Sequence, residues 1–126
     1  MKLYGIGTDI IKISRIKKST KNKLFLNRVY HKDEISKCKK IKKSFNCFAK
    51  RFAAKEAFSK ALGTGISKGI YFNEILVRNE KHGKPFIRLV NKTKKNVQNR
   101  LKKKYKISLS LSDEDNYAVA FVTISL

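Results

Sequence analysis

The sequence predicts an α+β fold in which a small antiparallel sheet packs on one long central helix. Three observations carry that expectation. The stretch from Phe45 to Gly65, F-N-C-F-A-K-R-F-A-A-K-E-A-F-S-K-A-L-G-T-G, is rich in alanine, lacks proline and ends in glycines, as a helix does. Residues 2–13 are rich in β-branched side chains and read as an N-terminal strand. Segments 72–79 with 85–90, and 107–112 with 117–124, alternate around short polar turns and read as two hairpins.

One domain over residues 1–126 accommodates all of these elements, because a chain of this length buries about two thirds of its unfolded surface. A hydrophobic content of 41% supports a packed core, yet 31 basic against 9 acidic residues leave a net charge of +22. Such a field attracts acidic partners, and lysine-rich composition accounts for part of it. Cys38 and Cys47 are too few for a four-cysteine metal site and do not form a C-x-x-C pair. Two free thiols in a reduced, cytoplasmic protein are the expectation. Asp9 interrupts any apolar leader, and no apolar run is long enough to span a membrane.

In the first strand, K-L-Y-G-I-G-T-D-I-I-K-I, Gly5 and Gly7 share one side with Asp9. They leave room for another backbone or a ligand. Asp9 is out of place among apolar neighbours; a strand-end carboxylate or a cation ligand both explain it. Three short helices follow, at 14–22, 23–30 and 32–41, and expose Arg15, Lys17, Lys18, Lys21, Lys23 and Arg28. A solvated basic surface and a dock for an acidic partner are the two readings.

For the long helix, Ser44 is the expected N-cap and Gly63 the left-handed terminator. Apolar residues fall on both sides, so Glu56 is the misplaced charge. An unpaired carboxylate there costs several kcal/mol, on the order of 1–3 or more. Lys60, one turn on, is positioned to pair with it; a bound divalent cation is the alternative. The turn Gly63-Thr64-Gly65 offers small residues and amides to a phosphate, or is a plain connection. Pro85 suits a strand start, His82 a surface turn, and residues 91–105 a basic helix. Asp113, Glu114 and Asp115 cluster in the last turn.

The two anomalous acids lie within recognisable contexts. G-I-G-T-D-I at 5–10 with Arg15, R-F-A-A-K-E-A-F-S-K-A-L-G-T-G-I at 51–66, G-K-P at 83–85 and Y-A-V-A-F-V at 117–122 resemble the holo-acyl-carrier-protein synthases, over essentially the whole chain. The resemblance implies transfer of the 4′-phosphopantetheine arm of coenzyme A to a serine of an acidic apo acyl carrier protein, in support of fatty acid biosynthesis, with adenosine 3′,5′-bisphosphate released.

By the same resemblance Asp9 and Glu56 are ligands of Mg²⁺, and Lys60 stands beside the transferred phosphate as a third catalytic residue. Arg51, Gly63, Thr64, Gly65 and Pro85 line the coenzyme A site, to which Lys55 adds charge. Asp113 stands where some members carry a histidine near the nucleotide phosphates. Arg15, Lys18, Lys23 and Arg28 match the surface that docks the carrier protein. A homotrimer with active sites at subunit interfaces is implied too. The rival from charge alone, a nucleic-acid-binding module, lacks any RNP-type aromatic signature, KH loop or zinc spacing. No specific nucleic acid is therefore expected.

Overall fold

The structure is a computed structural model and describes all residues 1–126. Its elements run β1 (Leu3–Lys12), α1 (Ile13–Ser19), α2 (Lys23–Val29), α3 (Lys32–Lys40) and α4 (Ser44–Leu62), then a 3-10 turn at Phe72–Glu74. The second half adds β2 (Ile75–Asn79), β3 (Pro85–Leu89), α5 (Asn91–Leu101), β4 (Lys106–Asp113) and β5 (Tyr117–Ser125). The α+β class is as expected, but the strands form two sheets rather than one. β1, β5 and β4 make an antiparallel sheet in that order, and β2 pairs only with β3.

What places everything else is how closely α4 approaches β1. Ala49, Ala53, Ala57 and Ala61 form a fully buried ridge at four-residue spacing. Gly5 and Gly7 face it so tightly that a Cβ on either would collide with the helix backbone, at the Ala61 and Ala57 carbonyls respectively. The room left by the two glycines is thus filled by a helix and not by a ligand. Ala118, Ala120, Val122 and Ile124 of β5 complete the sheet side of the core.

The opposite side of α4 is aromatic. Tyr30 meets Phe48 edge-on at 4.9 Å, and Phe52 stacks between Phe25 and Phe72 at 6.2 and 5.5 Å. Burial on both sides explains why the helix shows no single apolar stripe. Gly63 ends it in the left-handed conformation, φ 90°. Ser44 is not the cap: Lys43 holds that position with no side-chain hydrogen bond, and Ser44 is the first helical residue. The capping chemistry lies upstream, where Asn22 Oδ1 accepts the Leu24 and Phe25 amides and His31 with Glu34 forms a capping box.

The expectation of two free thiols is also corrected. Cys38, in the last turn of α3, and Cys47, in the first turn of α4, form a disulfide. The helices double back through the short link at 41–43, which brings the two Cα atoms to 5.4 Å. Such cross-helix proximity is not visible in sequence spacing.

Candidate active site

Asp9 lies mid-strand in β1, on the face that carries Gly5 and Gly7, and so points at α4. Lys60, near the helix end, leans back toward the N-terminus as helical side chains do. Its Nζ donates to Asp9 Oδ1 at 3.2 Å and to the Thr8 carbonyl at 3.0 Å. The i,i+4 pair with Glu56 offered by the sequence is not the one made. Glu56 is left half-buried without an ion-pair partner. Burial, then the charge of Asp9, raises its pKa, against smaller opposing effects of Lys60 and Arg15. The three expected catalytic residues, with Arg15 of α1, thus share one electrostatic neighbourhood.

Two carboxylates that repel each other, flanked by cations and joined by no third His, Cys, Asp or Glu, are a sparse donor set. They suit a hard cation that keeps water and phosphate ligands, and they do not suit a cation needing a full protein cage.

Toward the N-terminal end of α4, from Asn46 to Arg51 and so roughly 8 to 15 Å along the axis from Glu56 at about 1.5 Å per residue, lies an open depression of about 460 Å³. Lys37, Lys43, Lys50, Arg51, Asn46 and Asp113 contribute to its wall. Asp113 is tied down there, accepting from Asn46 Nδ2 at 2.8 Å and pairing with Lys50 Nζ at 3.5 Å. Lys37 is held below its ordinary pKa by desolvation and then by Arg51 and Arg78, a sign of crowded positive charge. Arg51 donates through Nη1 to Cys47 Sγ at 3.2 Å and through Nη2 to Asn79 Oδ1 at 3.2 Å, while its buried Nε has no partner. Arg51 and Asp113 were expected at a phosphate-bearing ligand, and they line one basic depression. Lys43, Asn46 and Lys50 were not singled out, although Asn46, Lys50 and Arg51 share helical spacing that puts them on adjoining faces.

Lys55 goes elsewhere. It is fully buried and bonds Glu34 Oε1 and the carbonyls of Phe72 and Ile75 at 2.6, 2.9 and 2.6 Å, so all three of its protons are used inside the fold. Burial pulls its pKa down to about 8 against the opposing pull of Glu34. Glu34 in turn accepts from the His31 and Val77 amides at 3.0 Å each. The pair therefore clamps α3 and α4 to β2. A charge expected to face the ligand is a structural pin.

In the turn after α4 the amides expected to be free are already bonded. The amides of Gly63, Thr64 and Gly65 all point back to the Ser59 carbonyl, at 3.1, 3.2 and 3.2 Å, and are not presented to a phosphate. Pro85 opens β3, half-buried, opposite Asn79. Arg15, Lys18, Lys23 and Arg28 are exposed on α1 and α2 and form no ion pair.

Comparison with known proteins gives one consistent answer. The 4′-phosphopantetheinyl transferase superfamily pattern matches residues 5–122. The chain is 47% identical to the holo-acyl-carrier-protein synthase of Pelagibacter ubique, over 98% of each protein, and 46% identical to that of Wolbachia pipientis, over 97% of each. The solved synthase from Neisseria meningitidis superposes with a TM-score of 0.88 at 36% identity, covering 98% of this chain and 99% of that one. The Bacillus anthracis synthase, solved in complex with coenzyme A (3′,5′-ADP), gives 0.82 at 35% identity, covering 99% and 98%.

Proposed function

The chain belongs to the 4′-phosphopantetheinyl transferase superfamily, and from that premise we propose that it transfers the 4′-phosphopantetheine arm of coenzyme A to a serine of an acidic apo acyl carrier protein. Adenosine 3′,5′-bisphosphate leaves, and the holo carrier serves fatty acid biosynthesis in the cytoplasm. No helix is long and apolar enough to cross a membrane. The observation that carries the reading is the meeting of Asp9, Glu56 and Lys60 at the β1–α4 contact, on the same helix that lines a basic depression of about 460 Å³.

Asp9 and Glu56 would hold Mg²⁺, which when bound neutralises charge on a pyrophosphate and on the leaving bisphosphate. Everything else falls to the chain itself. Arg51, Lys43 and Lys50 offer charge to the nucleotide phosphates, with Asp113 and Asn46 fixing Lys50 in place. Lys60, steered by Asp9 and the Thr8 carbonyl, directs its ammonium to where charge develops on the transferred group. Bringing the partner serine into line with the pyrophosphate contributes much of the rate.

The cations of α1 and α2 would speed encounter with an acidic carrier and orient it. A homotrimer is supported by the outer face of the main sheet. Ile6, Ile10 and Phe121 lie there, 58%, 62% and 45% exposed, on paired strands. A contiguous apolar surface of this kind marks an interaction site. Transfer assayed with apo carrier protein across a Mg²⁺ titration tests the reading: activity should require the cation and fail in Asp9→Asn and Glu56→Gln, whereas full activity in chelator would refute the metal assignment. Light scattering checks the trimer.

A further inference from the structure

The disulfide sits where the transferase reading places the ligand. It joins the last turn of α3 to the first turn of α4, and the segment it closes carries Ile41, Lys43 and Asn46, which line the basic depression. Cys47 itself is part of that wall, 4% exposed, while Cys38 is wholly buried behind it. Arg51 Nη1 points at Cys47 Sγ, 3.2 Å away. A disulfide sulfur is a weak, neutral acceptor, and no carboxylate forms an ion pair with Arg51. The guanidinium, 4% exposed and balanced only at longer range by the charge of Glu34, remains a cation that an anion at the wall can meet.

We propose that the Cys38–Cys47 disulfide is a redox-reversible positioning element of the coenzyme A site, and that its reduction weakens coenzyme A binding. This rests on the transferase reading above. The reductant is a dithiol. One of its thiolates attacks Cys47 Sγ at the wall, the S–S bond breaks, and Cys38 leaves and takes up a proton. The second thiolate of the reductant then displaces Cys47, and the reductant becomes a disulfide. Two electrons pass to the cysteines. Beside Arg51, with Lys43 and Lys50 on the same wall, Cys47 is released as a thiolate, because neighbouring cations favour that form.

Two consequences follow from the geometry. The Cys47 thiolate takes over Arg51 in a charge-assisted bond, so that a phosphate must compete for it. The segment 39–46, no longer closed at its base, holds Lys43 and Asn46 less firmly. Both act on ligand binding, and neither touches Asp9, Glu56 or Lys60. Asp113 and Lys50, which pair at 3.5 Å, both lie outside the segment that the disulfide closes.

The test equilibrates the whole protein in mixtures of dithiothreitol and its cyclic disulfide. Free thiols are counted by mass after alkylation, the coenzyme A dissociation constant is measured directly, and KM and kcat are measured with carrier protein. On going from no thiols to two, the dissociation constant and KM for coenzyme A should rise roughly tenfold, the loss of about one charge-assisted hydrogen bond, with kcat little changed. Cys38→Ser, which leaves Cys47 free, should bind like the reduced protein under all conditions. Cys38→Ser/Cys47→Ser should show no redox response, and thermal melting checks that both variants fold. Equal affinity in the two states overturns the proposal. So does a thiol count of two in every mixture, the same redox shift in the double variant, or an effect on kcat alone. Redox-dependent coenzyme A binding without transfer would uphold the site and refute the reaction, whereas no binding in either state overturns both.

Discussion

Lys60 Nζ lies 3.2 Å from Asp9 Oδ1, across the β1–α4 contact, and does not pair with Glu56 on its own helix. The strand and the helix are thus tied at the point where the reaction is expected, and Glu56 stays unpaired beside the tie. Replacing Lys60 by Ala should lower kcat by roughly 100- to 1,000-fold, the usual effect of removing one preorganised stabiliser of transition-state charge. Because Lys60 is half-exposed, thermal stability should barely change. Steady-state kinetics beside a melting curve separates the two effects.

Glu56 makes the opposite trade. Its pKa is raised by burial and by Asp9, so the folded state binds the proton more tightly than the unfolded chain. Stability then falls as pH rises through the raised pKa, and the deficit persists at neutral pH. In metal-free buffer, Glu56→Gln should melt above the wild type at pH 7, and the gap should close below pH of about 4, where the wild-type carboxyl is protonated. Mg²⁺ should raise the melting temperature of the wild type and not of the variant. Melting curves against pH, with and without the cation, check both statements.

Gly7→Ala should cost about 1–3 kcal/mol or more, since a Cβ there strikes the helix backbone at Ala57 and only separation of β1 from α4 relieves it. That separation also draws Asp9 away from Lys60. Denaturant unfolding should show the loss, and activity well below the melting temperature should fall with it. Gly83→Ala is the comparison: no atom crowds its Cβ, and only its positive φ resists the change.

Lys55→Met should destabilise the fold by about 3–5 kcal/mol, because it strands the buried Glu34 carboxylate. Adding Glu34→Gln should restore part of this, since the amide oxygen still accepts the Val77 N–H. If Lys55 is the pin its contacts describe, the double variant should keep a near-normal KM for coenzyme A, which Arg51→Met should not. A raised KM in the double variant would return Lys55 to the ligand site.

How far the sequence reached depends on the range of each signal. α4, its glycine stop and all five strands were legible because alanine content, alternation and turn chemistry act locally, although Phe72–Glu74, expected as the start of a strand, is a 3-10 turn. Asp9 and Glu56 stood out as carboxylates among apolar neighbours, a contrast visible without tertiary structure. Lys55 was misplaced because its partner, Glu34, is 21 residues away on another helix. Its position on a helix apolar on both sides was the available warning. The Lys60 pairing went to Asp9 because Gly5 and Gly7 let β1 come closer than any helix-wheel argument registers. The Cys38–Cys47 bond depends on two helices doubling back, and the separate β2–β3 sheet on which strand edges meet; neither has a periodicity to read.

The most direct test is the intact mass of apo acyl carrier protein after incubation with coenzyme A, Mg²⁺ and this protein. The expected result is the gain of one phosphopantetheine arm per carrier, lost in chelator and lost with Glu56→Gln. An unchanged mass across several acidic carrier proteins, with this protein folded and binding coenzyme A, would contradict the transferase assignment and leave only its fold.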